Sequence, residues 1–172
     1  MKKKVLLLTV IMGSLFLIVG CGNTKISSSD DISYTNKFEC SRKEASTTQQ
    51  VYYSTKQYPS NESDNGKTAV ETEFSRIYDF NKNGDKLLAY YDIITYNYLV
   101  DYDMNAQKAY FETTCKNIDK NTYKSCNVTL KDKVITIISE VDLNSEESKK
   151  YLSKATLDSI KENYLESSYT CK

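Results

Sequence analysis

The chain has 172 residues, 23 of them basic and 23 acidic, and contains neither histidine nor tryptophan. A net charge of zero gives no electrostatic case for binding nucleic acid. The missing histidine excludes Ser-His-Asp and Cys-His nucleophiles, the HExxH motif and every His-containing zinc site.

The first twenty residues read as a leader, not as part of the fold. Lys2, Lys3 and Lys4 precede an apolar stretch from Val5 to Val19 that only Thr9, Gly13 and Ser14 interrupt. That length suits a secretory h-region and is short for a membrane span. The stretch Leu17-Ile18-Val19-Gly20-Cys21 resembles the lipobox of bacterial lipoprotein precursors. The resemblance implies cleavage before Cys21 and a diacylglycerol thioether on its sulfur. Two acyl chains, at about 0.8 kcal/mol per buried methylene, anchor stably where one is marginal. Residues 1–20 are therefore expected to be a signal peptide, and residues 21–36, polar and Ser-rich, a lipidated cysteine followed by a flexible tether. Residues 37–172 are expected to form one domain, and from 21 onward acidic residues outnumber basic ones by three.

Four cysteines remain, Cys40, Cys115, Cys126 and Cys171. In an exported protein they suggest two disulfides out of three connectivities, with free buried thiols as the other option. The expected pairing is Cys115–Cys126 as a local staple and Cys40–Cys171 as a clasp between the domain's ends. No pair has CxxC spacing, which argues against a thioredoxin-like role.

Strands are expected over 37–43 and 49–56, rich in Phe, Tyr, Val and Thr, with a loop over 58–67 around Pro59 and Gly66. Along 68–80, Val70, Phe74, Tyr78 and Phe80 share one face; Arg76 on that face and Ile77 on the other break the alternation. A second long strand is expected over 87–98, joined to the first by a hairpin at Asn83-Gly84. Met104, Phe111, Cys115 and Ile118 then fall at helical spacing, predicting a helix over 103–117 with Asp101 or Asp103 as N-cap. Strands over 126–130 and 133–141 make another hairpin across Lys131-Asp132. Asn144 and Glu147 have capping-box spacing for a helix running to about Ser153. Thr156 is placed to cap a last helix whose Leu157, Ile160, Tyr164 and Leu165 line one face, and a short extended piece ends near Cys171. The fold class expected is α+β, a mainly antiparallel β-sheet with hairpins packed against a central helix and one or two C-terminal helices.

The Lys-rich leader, Phe38-Glu39-Cys40-Ser41 in the first strand, the hairpins and central helix, and Thr156-Leu157-Asp158-Ser159-Ile160-Lys161 before Tyr169-Thr170-Cys171-Lys172 resemble the YehR-like small bacterial lipoproteins. The resemblance implies an α+β fold and lipid anchoring, and it brings no catalytic residues. Cys115, Cys126 and the loop over 58–67 lie outside it.

Motifs with chemistry are few. Asp79-Phe80-Asn81-Lys82-Asn83-Gly84 fits the start of a calcium loop, but Tyr90 stands where the bidentate Glu belongs, so a hairpin turn is expected and no metal. No serine has a lysine three residues on, which removes SxxK chemistry. The run Ser145 to Lys150 reads as a solvated helix face. Asp101 and Asp103 are better read as caps than as a glycosidase pair. Fifteen tyrosines invite a sugar- or peptide-binding reading, with Tyr90, Tyr96 and Tyr98 as candidates beside Tyr91 and Tyr102, although tyrosine also fills half-buried strand positions. Tyr90 and Tyr91, being neighbours on a strand, must face opposite ways.

The functional expectation is a membrane-anchored extracytoplasmic lipoprotein, a non-catalytic domain binding an envelope protein or cell-wall component, without cofactor or nucleic acid. The alternatives are a structural accessory of an envelope complex and an enzyme working without histidine.

Overall fold

The structure is a computed structural model and describes residues 32–47, 68–165 and 167–172. The leader, the lipidation candidate Cys21, the strand expected over 49–56 and the loop over 58–67 lie outside the described residues.

Six strands and three helices follow in chain order. They are β1 (Lys37–Thr47), β2 (Thr68–Phe80), β3 (Leu87–Tyr98), α1 (Met104–Lys116), β4 (Tyr123–Lys131), β5 (Val134–Val141), α2 (Glu146–Leu152), α3 (Leu157–Tyr164) and β6 (Thr170–Cys171). The sheet order is β4-β5-β3-β2-β1-β6, and every pairing is antiparallel. This is the expected α+β architecture.

The β2–β3 hairpin is the centre of the sheet. Its strands run over the residues that the alternation marked, and the connection spans Asn81 to Lys86, longer than a two-residue turn. Gly84 takes a left-handed φ of 73°, which a side chain would strain. The Asn81 side-chain oxygen accepts from the Asp85 and Lys86 amides, so the asparagine supplies the acceptor that backbone alone leaves unmet. The second hairpin turns through Asp132, whose φ of 55° is in the left-handed region where Asp is tolerated.

All three helices cover one face of the sheet. Leu152, Leu157, Ile160 and Tyr164 pack with Phe38, Tyr78, Phe80 and Tyr90 in one cluster. Met104, Phe111 and Cys115 of α1 pack with Val70, Tyr98 and Ile135 in a second. Asp103 caps α1 through the Ala106 amide, as expected; the most buried residue of that helix is Gln107, which accepts from the Tyr98 hydroxyl at 3.3 Å. Thr156 and Ser159 form the capping box of α3. Two helix details are corrected. The N-cap of α2 is Ser145, not Asn144, because the Ser145 hydroxyl reaches the Ser148 amide. Leu165 is the C-cap of α3 and 80% exposed, because the helix ends before its side chain can join the apolar face.

The opposite face carries its own small core, Ile77, Tyr91, Ile93 and Ile138, against which Ile32 and Tyr34 pack. The expected tether therefore ends earlier than residue 36. Tyr34 meets Tyr91 edge-on at 6.1 Å, and the Thr35 and Asn36 amides both donate to Asp79 Oδ1, at 2.7 and 2.9 Å. Ile77, a break in the sequence pattern, belongs to the core that this strap covers.

Both expected cysteine pairs lie at disulfide distance, Cys40 with Cys171 and Cys115 with Cys126. The first joins directly opposed residues of β1 and β6, and the second ties α1 to β4. Among the described residues no helix is long and apolar enough to cross a membrane.

Candidate functional site

The second break in the pattern, Arg76, is the centre of the most polar region under the helices. The β2–β3 register sets Arg76 directly opposite Asp92, both on the helix-covered face. Arg76 Nε stands 3.5 Å from Asp92 Oδ1, and the side chains keep only 7% and 16% of their surface. Asp92 also accepts from the Tyr90 hydroxyl at 2.9 Å and the Tyr123 hydroxyl at 3.4 Å, one on each oxygen. Arg76 Nη1 donates to the Tyr164 hydroxyl at 3.4 Å, and the hydroxyls of Tyr164 and Tyr78 share a hydrogen bond of 2.9 Å. Four tyrosines, one arginine and one aspartate thus form a single lattice between sheet and α3.

Low dielectric governs its protonation. Burial raises the Asp92 carboxyl above its ordinary value, while Arg76 and the two tyrosine hydroxyls pull it back. Desolvation works against the Arg76 charge, but Tyr90, Tyr164 and Asp92 together favour the cation and leave its pKa raised. Desolvation raises the phenols of Tyr78, Tyr90, Tyr123 and Tyr164 as well. None of these hydroxyls is prepared to act as a base or nucleophile near neutral pH, which needs a lowered pKa.

The C-terminal segment closes over this lattice. The Tyr169 ring lies 5.4 Å from the guanidinium carbon of Arg76 and 5.4 Å from that of Arg42, which in turn lies 5.0 Å from the Phe74 ring. Tyr169 also meets Tyr164 edge-on at 5.4 Å. Beyond it, the backbones of Glu39 and Lys172 exchange two hydrogen bonds, and Cys171 is tied to the fully buried Cys40.

Of the residues marked for ligand binding, Tyr90 belongs to this lattice as a buried member, while Tyr96 and Tyr98 lie elsewhere. Tyr90 and Tyr98 are core residues, 3% and 4% exposed, and Tyr96 is half-buried with one face stacked on Phe111 at 4.9 Å. High β propensity accounts for these rings lying inside, the packing role that the sequence offered beside a binding one. Tyr90 and Tyr91 do face opposite ways, in the two separate cores. The calcium-loop residues are engaged in structure: Asp79 holds the strap and Asn81 holds the turn. Asp103 is a cap, and Asp101 pairs with Lys133 at the surface. Among the described residues no three acids or cysteines converge as a metal site.

Sequence reasoning missed Arg42, Asp92, Tyr123, Tyr164 and Tyr169 as a group. One signal was present: a cation on the apolar side of β2 and an acid on the same side of β3. A hairpin centred on the Asn-Gly turn brings such a pair into register. A concavity of about 240 Å³ between the β2–β3 turn and α2, lined by Leu87, Leu143, Leu152 and Asp85, is smaller than the roughly 300 Å³ at which ligand pockets begin.

No family model matches the chain, and searches of the curated proteins and of the solved structures likewise return no match.

Proposed function

We propose that the protein is a lipid-anchored envelope lipoprotein whose folded domain binds a partner or ligand without catalysing a reaction. The observation that carries this reading is the Lys-rich, apolar leader ending in Leu17-Ile18-Val19-Gly20-Cys21. The two cysteine pairs at disulfide distance support it, because stable disulfides belong to oxidising, extracytoplasmic compartments. The non-catalytic part is supported by the chain's lack of histidine and by tyrosine hydroxyls that burial keeps protonated.

The test has two arms. Mass spectrometry of the protein from its membrane should find an N-terminal Cys21 carrying diacylglycerol, and Cys21→Ala should abolish lipid labelling. An uncut, unmodified start overturns the anchoring. Capture from detergent-solubilised membranes should then recover a partner above a tag-only control, and recovery of none counts against protein binding.

A further inference from the structure

We propose that Arg42 and Arg76, converging on the Tyr169 ring, form a binding site for an oxyanion, the carboxylate or phosphate group of an envelope ligand. The proposal deepens the binding reading and rests on it for its biological meaning, but its geometry stands without the lipid anchor.

A guanidinium carries five N–H donors and no acceptor. Arg76, 7% exposed at its side chain, has one hydrogen bond of 3.4 Å to Tyr164 and a carboxylate 3.5 Å away. Its Nε is ion-paired with Asp92 Oδ1 at 3.5 Å but makes no hydrogen bond, and the buried Nε of Arg42 makes none either. Two buried guanidinium donors without a hydrogen bond, on side chains that both approach the Tyr169 ring at 5.4 Å, are uncommon, because a buried donor without a hydrogen bond gives up part of its solvation. The neighbouring acids meet the need only in part. Asp92 compensates the Arg76 charge from 3.5 Å, while its two oxygens take their closer hydrogen bonds from the Tyr90 and Tyr123 hydroxyls. Glu44, 3.1 Å from Arg42 Nη2, is 51% exposed at its side chain, so solvent screens its hold.

The two cations differ in depth. Arg42 retains 32% of its side-chain surface and opens to solvent, while Arg76 lies beneath. They occupy neighbouring positions of β1 and β2, since Cys40 opposes Arg76 and Arg42 opposes Phe74. An entering oxyanion would meet Arg42 first and Arg76 at the floor, with the Phe74 and Tyr169 rings as apolar walls for the carbon skeleton behind it. Arginine's planar fork suits two-point recognition of carboxylate or phosphate, which lysine's point charge does not reproduce.

The test uses the full chain in detergent micelles, with inorganic phosphate and acetate as probes against chloride at matched ionic strength. Either oxyanion should raise the thermal midpoint in a saturable way and shift the Nε–Hε resonances of both Arg42 and Arg76. Arg42→Gln, a half-exposed change that leaves the Arg76–Asp92 pair intact, should weaken binding about tenfold or more, the loss expected of one charge-assisted hydrogen bond, and Arg42→Lys should restore part of it. The probe with the larger response tells phosphate ligands from carboxylate ones. Unmoved arginine resonances, or an Arg42→Gln variant that binds as wild type does, overturns the site. Because this titration needs neither lipid nor partner, failed lipidation would leave its outcome untouched.

Discussion

Arg76 and Asp92 face each other across the central hairpin as the one buried ion pair described within the sheet, 3.5 Å apart and roofed by tyrosine hydroxyls. Continuum reasoning holds that such a pair adds little net stability over a hydrophobic substitute, yet losing one partner strands the other.

Arg76→Gln should therefore lower stability by about 3 kcal/mol near neutral pH. Asp92 is already held above the ordinary carboxyl value of 3.8 by burial, and Arg76 is the strongest of the groups that pull it down. Removing the cation raises it further. A carboxyl whose pKa rises on folding keeps its proton in the folded state and loses it when unfolded, so its penalty is absent at low pH and grows as pH climbs from 3.8 through the folded value. Urea unfolding should find the deficit partly recovered near pH 4. An equal deficit at both pH values would contradict the pairing.

The two cysteine pairs should differ in weight. Their separations are 131 and 11 residues, for which the chain-entropy relation gives roughly 5 and roughly 3 kcal/mol. Replacing both Cys40 and Cys171 by Ala should thus lower the midpoint more than replacing both Cys115 and Cys126. Peptide mapping without reductant should recover these two pairs and no others; four alkylatable thiols would refute the bridges.

Asp79 fastens the strap through two backbone amides. Asp79→Ala should release Thr35 and Asn36, at a loss of about 1–3 kcal/mol for the unmet donors, and uncover Tyr91. Hydrogen exchange at those two amides should speed up by about tenfold or more while the amides of Ile93 and Ile138 stay protected. Unchanged exchange at Thr35 and Asn36 would mean that the strap is held by something other than this carboxylate.

Much of the architecture was readable because its signals are local. The limits of β2 and β3 follow from aromatic and β-branched alternation around an Asn-Gly pair, and Asp103 and Thr156 announce their helices by side-chain chemistry alone. Smaller misses have local causes too: Ser145 and Asn144 are both good caps one residue apart, and only the backbone decides between them. The site was much less legible. Arg76 and Ile77 look like errors in a period-two pattern until the second face of the sheet is known to be covered as well. Asp92, Tyr123, Tyr164 and Tyr169 come from four distant parts of the chain, and no window of sequence holds more than one of them beside Arg76. The strap escaped for the same reason, since Ile32 and Tyr34 gain an apolar surface only after β2, β3 and β5 have paired.

The clasp between Cys40 and Cys171 turns almost the whole folded body into a covalent ring. A protease that nicks the chain anywhere inside that ring opens the backbone but sheds no fragment, since both new ends stay attached through the sulfur bridge. If Cys21 holds the lipid, it lies outside the ring, so one cut between residues 22 and 39 frees the whole domain at once, and a cut beyond Cys40 frees nothing.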